Sequence, residues 1–169
     1  MFQIGDAVIH RDYGPGRVIN IEQVSCLGAG KRYYEIELLD ETGTQVWVPV
    51  SDAEKAGVRA PVSVARLKQM WRALSARPEP LPQEHKERYA QIDPKLHSGD
   101  PIQLAEALRD LAWRRWQVGK LTERGKRLYE HAIKKLAGEL AVILDKGVQA
   151  AQAQISQRLN SSLSMLQAG

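Results

Sequence analysis

The sequence predicts an α+β protein in which a small, strongly curved β-barrel is followed by an all-α domain. Up to residue 60, short segments rich in Val, Ile, Tyr and Trp alternate with glycine-containing turns. From Pro61 onward, apolar residues recur every three or four positions, which is the period of a helix. The charge changes sign at the same point. We therefore expect a barrel over residues 1–60, a basic helical domain over 61–146 and an amphipathic helical tail over 147–169.

Four strand-like segments account for the predicted barrel. Turn signals at 13–16, 28–30 and 41–43 separate them, each with a glycine that can adopt positive φ. So few short strands cannot build a broad sandwich, but near closure into a barrel would remove most of their open edges. The predicted strands cover residues 7–11, 17–24, 32–39 and 44–50.

The stretch AVIHRDYGPGRVINIE, residues 7–22, could be a phosphate-binding glycine loop or a bend between strands. A phosphate loop ends in Lys-Ser or Lys-Thr and begins a helix. Here Gly14-Pro-Gly16 is followed by Arg17 and a strand-like run, so no helix N-terminus would face a ligand. The context predicts a hairpin bend.

Three helices follow from the periodicity of the second half. Apolar positions from Val64 to Leu74 form the first, which ends before Pro78, and residues 78–82 form a stiff extended connector. Residues 83–96 are polar, and we expect Pro94 to break any long helix there. Asp100 then caps a helix that runs to Gly119.

Thr122 caps a long helix that carries its apolar stripe as far as residue 144. The tail keeps a helical rhythm beyond it. This stripe could pack on the protein's own helices or on another copy of the chain, so self-association through the tail is an open possibility.

The charge distribution indicates two surfaces with different partners. Residues 1–60 hold 6 Lys/Arg against 9 Asp/Glu, net −3, whereas residues 61–169 hold 18 against 11, net +7. Within residues 109–135 the count is 9 basic to 3 acidic. Nucleic acid is the natural counter-charge for such a segment, although a solvated helix face is the alternative.

The positions of the four tryptophans in the sequence predict different environments for them. Trp71 and Trp116 fall on apolar stripes and are predicted to be core residues, while Trp113 lies nearer a stripe edge, where it could stack on a base or anchor a protein. Trp47 alternates with valines in its strand. If those valines face the core, Trp47 lies outside, where a partner could cover it.

The sequence contains no constellation typical of an enzyme, and we expect neither a cofactor nor a bound metal. Cys26 is the only cysteine, which excludes an internal disulfide and a cysteine metal cage. The histidines at 10, 85, 97 and 131 lack metal-ligand spacing, and no nucleophile stands beside a base. The longest apolar run, residues 140–144, is far too short for a membrane span, and the N-terminus lacks a basic segment followed by an apolar one. A cytoplasmic protein is expected.

A series of short motifs runs through residues 1–144 in a characteristic order, and no single motif is specific by itself. These motifs are Gly5-Asp-Ala-Val8, Tyr13-Gly-Pro-Gly-Arg-Val18, Tyr33-Tyr34, Val48-Pro-Val50, Val58-Arg59, Arg88-Tyr89, Ser98-Gly-Asp100, Ala105-Glu106, Arg109-Asp-Leu111, Trp113-Arg-Arg115, Leu121-Thr122, Lys126-Arg127 and Gly138-Glu-Leu-Ala141. Their joint order and spacing resemble the CarD/CdnL family of bacterial transcription regulators, whose N-terminal module is shared with transcription-repair coupling factors.

This resemblance implies a Tudor-like, SH3-like barrel that binds the β subunit of RNA polymerase, largely by pairing an edge strand. It also implies a helical domain that contacts upstream promoter DNA largely independently of sequence and so stabilises the open promoter complex. The polymerase-binding positions implied are Val24, Ser25, Val46, Trp47 and Val48. The DNA-binding positions implied are His85, Lys86, Arg88, Lys126 and Arg127.

One departure from the family concerns promoter binding. In the family a Trp inserts into the minor groove beside the opening bubble, and counting back from Ser98-Gly-Asp100 places that position at His85. Histidine is smaller and polar, so it would insert poorly. An alternative function is therefore a protein-interaction adaptor that keeps the barrel but lacks the promoter wedge.

Overall fold

The structure is a computed structural model that describes residues 1–27, 30–39 and 43–169. The predicted turns at 28–30 and 41–43 lie partly outside the described residues. The described glycine of each, Gly30 and Gly43, has positive φ, at 76° and 87°.

The chain forms two compact units. The first comprises residues 1–62 together with 138–148, and the second comprises 63–137 together with 149–169. The long helix therefore contributes its last turns to the N-terminal unit, an arrangement that the apolar pattern does not reveal.

The first unit is built on a five-stranded antiparallel sheet with the order β4-β3-β2-β1-β5. This β unit followed by helices confirms the predicted α+β class. A register shift between Val18 and Asn20 bends β2 where it pairs with β3. The strands are β1 Ala7–His10, β2 Gly14–Gln23, β3 Arg32–Leu38, β4 Gln45–Pro49 and β5 Val58–Arg59, with one-turn 3-10 helices at Ser25–Leu27 and Val50–Asp52.

The Gly-Pro-Gly motif lies in a β-hairpin and not in a phosphate loop, but the bend is three residues earlier than predicted. His10 pairs with Gly14, so residues 11–13 make the turn and the motif forms the start of β2. Gly14 has φ 86°, a conformation that favours glycine. A Cβ on Gly16 would come within 2.6 Å of the Ile36 side chain, so this glycine permits close packing of β2 on β3.

The core of the first unit consists of aliphatic side chains and Tyr34, whose hydroxyl accepts a hydrogen bond from the Phe2 backbone N–H at 3.0 Å. The buried members are Val8, Val18, Tyr34, Ile36, Leu38, Val48, Ala53 and Val58. Alternation along the strands places these residues on one face of the sheet, except Ala53, which follows the second 3-10 helix.

Glu139 joins the end of the long helix to β5 inside this unit. Its carboxylate accepts two hydrogen bonds from the Arg59 guanidinium, at 3.0 and 2.7 Å, and one from the Val62 backbone N–H at 2.6 Å. The Glu139 side chain is 3% exposed. Beside it, a Cβ on Gly138 would lie 2.9 Å from Pro15, so the helix backbone lies directly against β2.

Five helices follow the sheet, and their starts agree with the predicted caps where those were proposed. Asp100 accepts a hydrogen bond from the Ile102 N–H with Pro101 next to it, and Thr122 accepts one from the Gly125 N–H. The helices are α1 Val64–Ser75, α2 His85–His97, α3 Pro101–Val118, α4 Glu123–Leu144 and α5 Val148–Gln167.

The expectation that Pro94 prevents a long helix is wrong. Pro94 lies inside α2, a helix of 13 residues. Tyr89, Ile92 and Leu96 are buried along one face of α2, and α2 packs on α3. A proline removes one backbone hydrogen bond, and here it lies near the C-terminal end, so this packing outweighs its cost.

The tail helix α5 packs within the second unit. Ala151, Ile155 and Leu159 are each at most 1% exposed, and Leu163 is 8% exposed. The same chain therefore covers this apolar stripe as far as Leu163, whereas Leu166 is 38% exposed. None of the helices that the structure describes combines the length and apolar character that a bilayer span requires.

Candidate functional site

The strand β4 lies at an edge of the sheet, and its side chains point alternately to the two faces of the sheet. Among the described residues it pairs only with β3. Val48 is 3% exposed and Val46 packs against the core, so the valines face inwards. Trp47, half-buried and opposite Glu35, faces the other side, which is the outcome on which its predicted role depended.

The register shows which backbone groups β4 presents at its open edge. Leu38 donates its N–H to the Thr44 carbonyl at 3.0 Å, which identifies that pair as hydrogen-bonded. Because hydrogen-bonded and non-hydrogen-bonded pairs alternate in an antiparallel ladder, the backbone N–H and C=O groups of Gln45 and Trp47 point away from β3. The open edge is thus ready to pair with another strand.

The other predicted polymerase-binding residues lie elsewhere on the same unit. Val24 follows the end of β2 and is half-buried, and Ser25 begins a one-turn 3-10 helix and is exposed. β3 separates them from β4 in the sheet. The five positions therefore do not form one continuous strand surface. Val48 offers a partner neither side chain nor backbone, because its side chain is buried and its backbone groups pair with Tyr34 in β3.

In the second unit, His85 and Lys86 begin α2 on the surface. Glu84 caps this helix by accepting the Glu87 N–H at 2.9 Å, and the backbone hydrogen bonds it receives lower the pKa of its carboxyl group. The His85 ring tilts against the Tyr89 ring, with 4.7 Å between centroids. Both His85 and Lys86 are exposed.

Arg88, predicted as a phosphate contact, is directed inwards. It is 4% exposed and donates from Nη1 to the carbonyls of Pro82 and Gln83, each at 3.0 Å. These bonds hold the connector that precedes α2. Arg88 therefore stabilises the start of α2.

Lys126 and Arg127 lie on the exposed first turns of α4. Lys126 Nζ is 2.8 Å from Glu123 Oε1, and this hydrogen bond raises the pKa of Lys126 and lowers the pKa of Glu123. The Lys126 charge is thus partly neutralised, whereas Arg127 adds positive charge beside it. We expect Arg127 to contribute more to anion binding than Lys126.

Comparison with known proteins identifies both halves of the chain. Residues 2–71 match the CarD-like/TRCF RID domain, and residues 69–157 match the CarD C-terminal domain. The chain belongs to the CarD family. It is also 28% identical over 148 residues to the Bacillus subtilis (strain 168) protein named "Putative transcription factor YdeB", an alignment that spans 88% of this chain and 94% of that protein.

Membership in the CarD family has two direct consequences. It places the chain in a class of transcription regulators, and it implies interaction with RNA polymerase.

Within residues 1–27, 30–39 and 43–169, no three His, Cys, Asp or Glu side chains come together as metal ligands.

The tryptophans of this CarD chain differ from expectation at two places. Trp116, predicted as core, is 47% exposed, because the buried stripe of α3 ends at Ala112 and the last turn extends beyond it. Trp71 is only half-buried, with the Arg158 guanidinium 5.4 Å from its ring centre. Trp113 is half-buried, in agreement with its predicted edge position.

The aromatic and cationic cluster around Tyr89 was not predicted from the sequence. The Tyr89 hydroxyl is 2.6 Å from Thr122 Oγ1, and Arg124 lies over the Tyr89 ring at 4.2 Å while pairing with Asp93 at 2.6 Å. These contacts connect α2 to the start of α4. The only local signal was Tyr89 itself, which is an amphipathic aromatic residue in a polar segment.

Proposed function

We propose that this chain is a transcription regulator that binds the β subunit of RNA polymerase through β4 and binds promoter DNA through its helical unit. The observation that carries the proposal is the open edge of β4 within the region that matches the RID domain. By holding polymerase and upstream DNA together, the chain would modulate the stability of the open promoter complex.

The polymerase contact rests on backbone pairing supported by one aromatic side chain. A partner strand that adds to β4 would meet the outward N–H and C=O groups of Gln45 and Trp47, which gives affinity through main-chain hydrogen bonds. The Trp47 side chain on the outer face would supply the apolar contact. An aromatic residue of this kind is a frequent source of binding energy in protein interfaces.

The DNA contact rests on exposed positive charge. Lys86 and Arg127 are exposed in a half of the chain with net charge +7. Such side chains position a protein on phosphates without reading sequence. His85 lies beside Lys86 at the position where relatives carry the inserting Trp, so we expect only a weak distortion of the duplex by this chain.

The test of the polymerase contact is binding of the full chain to the isolated β-subunit lobe, measured by isothermal calorimetry. Gln45→Pro removes an outward N–H and leaves the β3–β4 hydrogen bonds intact, so we expect at least about a tenfold loss of affinity. Gln45→Ala is the matched control and should bind as the wild type does. Equal binding by both variants would rule out edge pairing through β4.

The full chain is required in this test because Glu139 and its neighbours belong to the N-terminal unit. A fragment that ends at residue 60 would lose them. If the full chain does not bind the lobe, the adaptor function becomes the better hypothesis, with the open edge of β4 available to another protein.

The DNA contact is tested by the salt dependence of binding to a duplex. Each phosphate contact contributes about 0.9 to the slope of log K against log salt. Lys86→Ala combined with Arg127→Ala should lower the slope by about two units, and Lys126→Ala should lower it less, because Glu123 already pairs with Lys126. An unchanged slope in the double variant would remove both residues from the DNA surface.

A further inference from the structure

The last turn of α3 carries an aromatic pair that the proposed function does not use. The rings of Trp113 and Trp116 stack with 4.9 Å between centroids and an angle of 20° between planes. Trp113 is half-buried and supports Trp116, which is 47% exposed. Tryptophan is rarely left this exposed without a partner, because it buries a large apolar surface when it can.

The surroundings of this pair are cationic. Residues 111–122 contain Arg114, Arg115 and Lys120 and no acidic residue. Arg115 is held against Tyr129, with its guanidinium 4.5 Å from the ring centre and Nη2 3.4 Å from the hydroxyl.

A flat apolar ring beside several cations suits a ligand that is itself flat and anionic. A nucleotide meets both conditions, because its base stacks on an aromatic face and its phosphate pairs with Arg or Lys. Bases within a duplex are covered on both faces by their neighbours. Only an unpaired base can therefore use the outer face of Trp116.

We propose that Trp116, supported by Trp113, is a stacking platform for an unpaired base of single-stranded DNA, with the exposed Arg115 and Lys120 supplying the positive charge that attracts its phosphates. The inference deepens the proposed DNA binding by the helical unit and rests on it. It assigns a separate role to the end of α3, distinct from the duplex contacts of Lys86 and Arg127.

The experiment measures binding of the full chain to fluorescently labelled oligo(dT) and to a labelled duplex of equal length by anisotropy. Trp116→Ala and Trp116→Leu should weaken oligo(dT) binding by about 5- to 100-fold, the range that loss of base–aromatic stacking produces. Trp116→Phe should retain most of the affinity, because it keeps an aromatic face. Tyr13→Ala, which removes a 54% exposed aromatic ring from the other unit, is the matched control and should leave oligo(dT) binding unchanged.

The outcomes separate the platform from the proposed function. If the chain binds the duplex, and Trp116→Ala binds oligo(dT) as tightly as the wild type does, the platform is overturned and the duplex contacts remain. If Trp116→Leu binds oligo(dT) as well as Trp116→Phe does, stacking is not the interaction. Wild-type chain that binds neither DNA would overturn both proposals. Self-association that Trp116→Ala abolishes would make a second copy the occupant and would also overturn the platform.

Discussion

Removal of the Glu139 carboxylate should destabilise the N-terminal unit more than any surface substitution. In Glu139→Ala, Arg59 loses two short hydrogen bonds to a charged group and the Val62 N–H loses its acceptor. Hydrogen bonds to charged groups contribute about 1.5–3 kcal/mol each. The Arg59 side chain is 39% exposed and can be rehydrated, which reduces the loss. We therefore expect a decrease of about 2–4 kcal/mol in the free energy of unfolding of this unit.

The assay must report on one unit, because the chain is built of two compact units and a single two-state transition cannot be assumed for it. Native-state hydrogen exchange of peptides from β1, β2 and β5 meets this condition. A loss of 2 kcal/mol corresponds to exchange that is about 30-fold faster in the slowest amides. Peptides from α2 and α3 in the other unit should change much less.

Glu123→Ala is the matched control, because it removes the same side chain from an 83% exposed position on the same helix. An exposed ion pair contributes at most about 1 kcal/mol. If Glu139→Ala accelerates exchange in the strands no more than Glu123→Ala does, the bond to Arg59 does not hold the end of α4 on the sheet.

Three further predictions concern single groups. Burial lowers the pKa of His10 below 6.5, and its Nδ1 accepts two backbone N–H groups. The contribution of His10 to stability is therefore complete above pH 6.5 and is lost as the pH falls. In a plot of the unfolding midpoint against pH, His10→Asn should flatten the part of the profile between about pH 7.5 and 5 that His10 causes. Asp110→Ala leaves the buried Arg109 without its carboxylate and should destabilise the helical unit by about 3–5 kcal/mol in urea unfolding, a result that a loss below about 1 kcal/mol would contradict. Tyr89→Phe removes the 2.6 Å hydrogen bond to Thr122 and should cost about 1 kcal/mol; a double-mutant cycle with Thr122→Ala that shows no coupling would disprove the contact.

Local patterns were sufficient for the order and type of most elements. The alternation in residues 44–50 and the spacing from Val64 to Leu74 depend only on which face of a strand or helix is buried. The caps Asp100 and Thr122 were predictable for the same reason, since a helix N-terminus is satisfied by a side chain a few residues away. The orientation of Trp47 followed once the valines beside it were placed in the core.

Predictions failed where distant contacts override a local rule. Pro94 stands within a helix because Ile92 and Leu96 are buried, and that burial depends on α3. Arg88 resembles a surface cation in sequence, yet two carbonyls of the preceding connector bind it. The hairpin bend lies at residues 11–13 and not at the predicted residues 13–16, because the register of the β1–β2 ladder places Gly14 opposite His10.

The amino-acid sequence is sufficient to identify a β unit followed by basic helices and to reveal the motif order of the CarD family. These properties are encoded by neighbouring residues and by composition, which do not require a partner segment. Three features required the folded structure: β4 is an open edge among the described residues, Glu139 belongs to the first unit, and Trp116 is exposed. Each depends on where the core ends and which segments meet, because burial is a property of the assembled chain and not of any stretch of it.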